Sequence, residues 1–188
     1  MKKVVLLVSL LTVLCWFSTS AQSDIGKNTV YAELAGKGLY YSINYERTWI
    51  HINDKIGIAT SVGMCLINGQ TDIEKSKDFT LPLEVNVNYG LGNHHIVAGF
   101  GTTYWRYFLP DITIENANLS QQPLLPELKK VTEWFAHGLI EYRFQKPEGG
   151  LMLKAGYVPL FFAKMENFAY QKKANYATSF NFGVGYTF

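Results

Sequence analysis

From Phe180 to Phe188 every second residue is large and apolar: Phe180, Phe182, Val184, Tyr186 and Phe188. Between them stand Asn181, Gly183, Gly185 and Thr187, all small or polar. A period of two sends these sets to opposite faces of an extended strand, one greasy and one wet. A sheet in water has little reason to finish on a bare row of aromatics. A strand whose greasy face meets lipid does, and a last strand of this kind closes a barrel and carries its assembly signal.

The beginning of the chain gives an address. Lys2-Lys3 is a positive n-region, Val4 to Phe17 an apolar h-region, and Ser18-Thr19-Ser20-Ala21 a small-residue cleavage site before Gln22. Residues 1–21 therefore read as a cleaved signal peptide, and residues 22–188 as a single domain. Cys15 follows Leu14, which argues against lipidation because a lipoprotein signal needs a small residue there. No later stretch offers the ~20 consecutive apolar residues of a spanning helix. A mature chain that crosses a membrane must cross it as strands.

Composition narrows the classes. The formal charge is +2, with 17 basic and 15 acidic residues. Loss of Lys2 and Lys3 with the leader brings the mature net charge to zero, leaving no basic excess to hold nucleic acid. Cys65 is then the sole cysteine, so no internal disulfide forms; in an apolar strand it reads as a small buried hydrophobe. Aromatics make up 15% of the chain, and such residues crowd membrane–water interfaces. The mean hydropathy of +0.00 is compatible with a membrane barrel, where only alternate residues face lipid.

The pattern predicts eight strands. The first, Thr29–Ala35, sends Val30, Ala32 and Leu34 outward and Tyr31 and Glu33 inward; Gly36-Lys37-Gly38 is a tight turn. The second, Leu39–Trp49, sends Leu39, Tyr41, Ile43, Tyr45 and Trp49 outward and Tyr40, Ser42, Asn44, Glu46 and Thr48 inward, with Arg47 snorkelling from the end of the apolar row. The third is Ile56–Ile67 and the fourth Phe79–Tyr89, with Asn68–Asp78 a loop between them. The fifth, His95–Phe108, has an ambiguous phase because glycines and threonines dilute both faces. Leu109–Thr132 reads as a long insertion. The sixth strand is Glu133–Phe144, the seventh Leu151–Phe161, and Ala163–Asn175 is a polar loop before the eighth. Lengths lie near the ~9–11 residues of a tilted spanning strand. Connections are short after strands two, four and six and long after three, five and seven, as in barrels with short periplasmic turns and long outer loops. The short Gly36–Gly38 turn is the exception.

Lipid offers no partner to an open sheet edge, so strand one must pair with strand eight. The expected fold is all-β: an eight-stranded antiparallel up-and-down transmembrane β-barrel. Eight strands leave an interior just wide enough to be filled by side chains. The inward set holds Glu33, Glu46, Glu84, His137, Glu141, Arg143 and Lys154. Charges in so narrow a space must pair or neutralise. They form a structural polar plug or, alternatively, a gated proton or ion path.

Catalysis finds little support. His51, His94 and His95 fall at or beside short turns, and no serine of its strand accompanies His137 near Glu141. His94-His95 point to opposite faces and do not chelate one ion well. Gly99-Phe-Gly101 and Gly183-Val-Gly185 precede no helix, so neither is a phosphate cradle. No catalytic, cofactor or metal residue is assigned. Lys129, Lys130, Lys164, Lys172 and Lys173 lie in outer loops and could meet lipopolysaccharide phosphates, or remain solvated.

The leader, the alternating strands and the Phe180–Phe188 row resemble small bacterial outer-membrane β-barrels of the OmpA/OmpX-like type. Val30 to Arg47 resembles the first hairpin of such barrels common in Bacteroidota. The resemblance implies outer-membrane location and insertion by the barrel assembly machinery reading Phe180, Phe182, Val184, Tyr186 and Phe188. It also implies lipid and lipopolysaccharide as surroundings, and a monomer. It says little of activity, because the class includes adhesins, structural proteins, narrow pores and lipid enzymes. A non-enzymatic structural or surface-interaction role through the outer loops is expected. A lipid-modifying enzyme, a narrow pore and a secreted lipocalin-like ligand binder with its apolar face inward are the alternatives.

Overall fold

The computed structural model describes residues 28–53, 55–71, 74–110, 128–162 and 176–188. The expected leader and cleavage site, Cys15 and most of the long connections lie outside these residues. Eight strands follow one another: β1 Asn28–Ala35, β2 Tyr41–Asn53, β3 Ile56–Thr71, β4 Glu74–Leu91, β5 His94–Pro110, β6 Leu128–Gln145, β7 Gly150–Phe162 and β8 Tyr176–Thr187. Each pairs antiparallel with the next, and β1 pairs with β8, so the sheet closes into an up-and-down barrel. At the seam the Asn28 N–H donates to the Phe188 carbonyl at 2.9 Å and the Phe188 N–H to the Asn28 carbonyl at 2.8 Å. Closure gives every strand two hydrogen-bonded neighbours, which is what a wall without an edge requires.

The expected alternation holds around the wall. Outside stand Val30, Leu34, Ile43, Val62, Val85, Phe100, Ile140, Leu153, Phe180 and Phe182, each well exposed. Inside stand Tyr31, Glu33, Ser42, Asn44, Glu46, Ala59, Ser61, Glu84, Asn86, Leu139, Glu141 and Lys154, all buried. The molecule is thus inverted relative to a soluble protein, with its charges in the middle and its large hydrophobes outside. β5 takes a definite phase: Val97, Thr103, Trp105 and Tyr107 are buried and Ile96 and Phe100 exposed. Here two large aromatics turn into the barrel. They join Phe135, Leu139, Val158 and Leu160 in an apolar interior cluster.

Several expected boundaries are corrected. Asn68–Asp78 is not a loop: Asn68↔Lys77 and Thr71↔Glu74 pair as a continuation of β3 and β4. Leu109–Thr132 likewise contributes paired backbone at both ends, from Leu109↔Lys129 to Pro110↔Leu128. β3 to β6 reach 16 to 18 residues, beyond what a membrane needs. The β3–β4 extension, Asn68–Asp78, is largely polar and lacks the apolar row of the strands below it, whereas the β5–β6 extension carries Leu109, Pro110, Leu128 and Val131. Leu39 does not face outward. It packs against the interior cluster, while Tyr40, expected inside, is 61% exposed.

The end of the barrel that carries Gly36–Gly38 is called the upper end below, and the end where Asn28 meets Phe188 the lower. Lower-end turns are tight. Asn53 Oδ1 accepts from the N–H groups of Lys55 and Ile56, both at 2.9 Å. Gly92, Gly149 and Gly150 adopt positive φ, which costs glycine nothing. One wall glycine is required by close approach: a Cβ on Gly63 would lie 2.0 Å from Asn44 Oδ1.

Candidate functional site

Alternation alone carries Glu33 on β1, Glu46 on β2, Glu84 on β4, His137, Glu141 and Arg143 on β6 and Lys154 on β7 to the inner face. All seven are buried, none more than 4% exposed. Arg143 bridges two carboxylates. Its Nη1 lies 2.5 Å from Glu46 Oε1 and its Nη2 2.9 Å from Glu141 Oε1, with a further bond of 3.1 Å from Nη2 to Glu46 Oε2. This forked contact is the geometry for which guanidinium is suited. Lys154 Nζ bridges Glu33 Oε2 at 2.6 Å and Glu141 Oε2 at 3.1 Å. Glu141 therefore links the two cations, and Glu46–Arg143–Glu141–Lys154–Glu33 is one continuous chain of charge pairs.

Amides complete it. Asn86 Nδ2 donates to Glu46 Oε2 at 3.0 Å, and Asn181 Nδ2 to Glu141 Oε2 at 2.9 Å. A buried carboxylate costs several kcal/mol of lost hydration unless its oxygens find charged or polar partners. Each link here supplies some of them.

Glu84 belongs to a second group, whose cation the sequence pattern missed. Lys37, expected in a solvated turn, is 1% exposed. Its Nζ donates to Glu84 Oε1 at 2.6 Å, Tyr31 Oη at 3.1 Å and Ser61 Oγ at 3.2 Å. The short connection between β1 and β2 is a 3-10 turn, Gly36–Gly38, folded into the upper end of the interior. Ala35 and Leu39, which flank it, hold positive φ of 57° and 72°, a backbone state that costs a residue with a Cβ free energy. The turn is fastened to three strands. Gly36 N–H donates to Ser179 Oγ at 3.0 Å, and Thr103 Oγ1 to the Lys37 carbonyl at 3.1 Å. Thr80 Oγ1 reaches the Gly38 carbonyl at 3.4 Å.

His137 completes this group. Its Nε2 stands 3.3 Å from Glu84 Oε2 and its Nδ1 3.2 Å from Thr103 Oγ1. Tyr31 joins the two groups: Lys154 Nζ lies 4.2 Å and Lys37 Nζ 5.6 Å from the centre of its ring. A signal for Lys37 was present in the inward set. Four glutamates there faced only Arg143, Lys154 and His137, so a further cation was due, and Lys37 follows Glu33 by four residues.

His94 and His95 split across the wall. His94 packs outside against Tyr142 and Phe144, and His95 Nε2 lies 3.3 Å from the Gln145 carbonyl on the inner side. Among the described residues no three His, Cys, Asp or Glu side chains gather as a metal site would require. Cys65 is free and buried. Phe180, Phe182, Val184, Tyr186 and Phe188, the residues expected to carry an assembly signal, form one exposed outer row on β8 and the residue after it. Lys130 is exposed at the upper end of β6; Lys164, Lys172 and Lys173 lie outside the described residues.

No protein-family model matches the chain, and no curated protein matches it. Solved structures do. A major outer membrane protein from Thermus thermophilus aligns at TM-score 0.53 and 11% identity, over 87% of this chain and 99% of that one. The N-terminal β-barrel domain of Pseudomonas aeruginosa OprF aligns at 0.48 and 11%, over 88% and 98%. Ail, the attachment invasion locus protein of Yersinia pestis, aligns at 0.46 and 10%, over 87% and 97%. The likeness is one of fold: the chain is a closed eight-stranded barrel of the kind found in small outer-membrane proteins.

Proposed function

We propose that the mature chain is an integral outer-membrane β-barrel without enzymatic activity. It acts through its upper loops or as a structural element of the membrane, and its interior is closed to solutes. One observation carries this reading: a closed wall with large hydrophobes outside and paired charges within. In water such a surface would aggregate, since soluble monomers rarely expose contiguous apolar patches above a few hundred Å². In lipid it is the expected arrangement. A lipocalin-like ligand binder needs the apolar face inside, the reverse of what is seen.

The plug reading rests on the inserted Gly36–Gly38 turn and the ion-pair chain beneath it, which occupy the bore. The enzyme alternative gains no geometry. His137 meets Thr103 and Glu84, and Ser61 meets Lys37 and Glu84, all inside the wall and away from any bilayer surface. With β1 entering and β8 leaving at the lower end, that end faces the periplasm and the tall β3–β4 and β5–β6 hairpins face outward. Lipid, lipopolysaccharide and the assembly machinery are then the partners, the last through the Phe180–Phe188 row, and the barrel is a monomer.

Electrophoretic mobility of the extracted protein in SDS, unheated against boiled, tests the embedding. A shift on heating is expected, and none, with recovery in the soluble fraction, would refute it. Planar-bilayer recording tests the closed interior. The expected trace is silent; discrete conductance altered by Glu46→Gln or Glu141→Gln would establish the path instead. Deletion of Phe188 should lower the amount of assembled barrel in cells, and unchanged levels would count against the assembly-signal role.

A further inference from the structure

Among the described residues the outer face is largely apolar, and Arg47 is a charged exception toward its lower rim. Arg47 pairs in register with Asn28, the first residue of β1, and Asn28 closes on Phe188. Across one step between tilted neighbouring strands the height changes little, so Arg47 lies close to the lower seam, where an outward arginine is tolerated far better than at the bilayer midplane.

This arginine is held in place. Its Cζ lies 4.7 Å from the centre of the Trp49 ring, and the Trp49 Nε1–H donates to Thr60 Oγ1 at 2.8 Å. The indole is thus fixed on the wall, and the guanidinium carbon lies over it. A cation–π contact of this kind takes up none of the guanidinium N–H donors as conventional hydrogen bonds. Those donors form a planar fork matched to a phosphate or carboxylate.

A groove of about 610 Å³ opens beside it on the outer face. That is within the roughly 300–1,000 Å³ typical of small-molecule sites. Its floor is two cross-strand rows. Arg47, Thr60, Val85 and Phe100 form one, and Tyr45, Val62, Leu83 and Thr102 the other. The small side chains of Thr60 and Thr102 between larger neighbours make the depression. Ser61 and Glu84 also border it, but their side chains turn through the wall to Lys37, so no carboxylate opposes Arg47 in the groove. Because barrel strands tilt by roughly 35–45°, rows perpendicular to them run obliquely. The groove leads from the cation at the interface into the apolar belt.

We propose that this is a binding site for one membrane glycerophospholipid of the periplasmic leaflet. Its phosphate sits on the Arg47 fork, and one acyl chain lies in the groove over Thr60, Val85 and Phe100. A phosphate joined to an alkyl chain matches this pairing of one fixed cation with an otherwise apolar trough, and lipid is what this face meets in the proposed embedding, on which the inference rests.

The test is native mass spectrometry of the full mature barrel in detergent, titrated with phosphatidylglycerol. Four proteins are compared: wild type, Arg47→Gln, Val85→Trp to fill the groove, and Arg106→Gln as control. Arg106 is an outward arginine over Phe79 at the upper end. Wild type and the control should retain one lipid with affinities within twofold. Arg47→Gln and Val85→Trp should each lose at least tenfold. Absence of a one-to-one adduct, retention unchanged in Arg47→Gln, or an equal loss in Arg106→Gln would overturn the site. The heat-induced mobility shift is recorded for all four. A barrel that shifts yet holds no lipid refutes this inference alone, whereas a wild type that shows no shift refutes the embedding beneath it.

Discussion

The inner face of β6 carries two kinds of buried side chain, with His137 of the Glu84 group standing between Phe135 and Leu139. Phe135 and Leu139 toward the upper end belong to the apolar cluster with Trp105, Val158 and Leu160; Glu141 and Arg143 toward the lower end belong to the ion-pair chain. Both stretches are buried in the same bore, yet different physics holds them. An apolar contact is specified by volume, so a neighbour of similar size serves nearly as well. A buried charge is specified by its partner, because deleting one member strands the other without water. The first region should tolerate conservative repacking and the second should tolerate only paired changes.

Arg143→Met is the harshest test. It removes the shared partner of Glu46 and Glu141 and should cost about 3–5 kcal/mol, read as a lower urea midpoint for the barrel in lipid vesicles. A loss below about 1 kcal/mol would erase the distinction between the regions. Leu139→Ala should cost about 2–5 kcal/mol through the lost contacts and the cavity. Leu139→Met should cost less than about 1.5 in the same assay, and equal losses would show that the apolar cluster is not governed by volume. Lys37→Met, which leaves the buried Glu84 carboxylate only His137 and Ser61, should destabilise the barrel more than the double change Lys37→Met with Glu84→Gln. That inversion marks a coupled pair, and simple additivity in a double-mutant cycle would contradict it. The smallest effect concerns the backbone that delivers Lys37. Ala35→Gly relieves a positive φ and should stabilise by about 1 kcal/mol or less; a marked loss would mean that the methyl group, not the turn geometry, is what matters there.

The same division explains what could be read from the sequence. Wall residues announce themselves because the apolar outer face and the polar bore impose opposite demands on alternate positions, so Glu33, Glu46, Glu84, Glu141, Arg143 and Lys154 fall inward on period alone. The phase of β5 did not announce itself. Gly99, Gly101, Thr102 and Thr103 suit either face, and Trp105 and Tyr107 turn inward, as Tyr31 and Phe135 do, although most aromatics of the wall stand outside. Strand ends were also hidden, because the upper part of the β3–β4 hairpin lacks an apolar row and Asn68–Asp78 then reads as loop. Lys37 escaped because Gly-Lys-Gly describes a turn equally well whether it folds into solvent or into the bore. Only the shortage of cations among the inward residues hinted at it.

The pairing of β1 with β8 has a consequence in time. Thr29 Oγ1 meets Thr187 Oγ1 across 158 positions of sequence, so the first strand finds its second neighbour only when the last has arrived. Such long-range contacts make folding slow, since loop closure must precede the contacts that reward it. The barrel cannot mature strand by strand as it is synthesised. During its delay before closure the chain is open-edged, exposed to pairing with other chains.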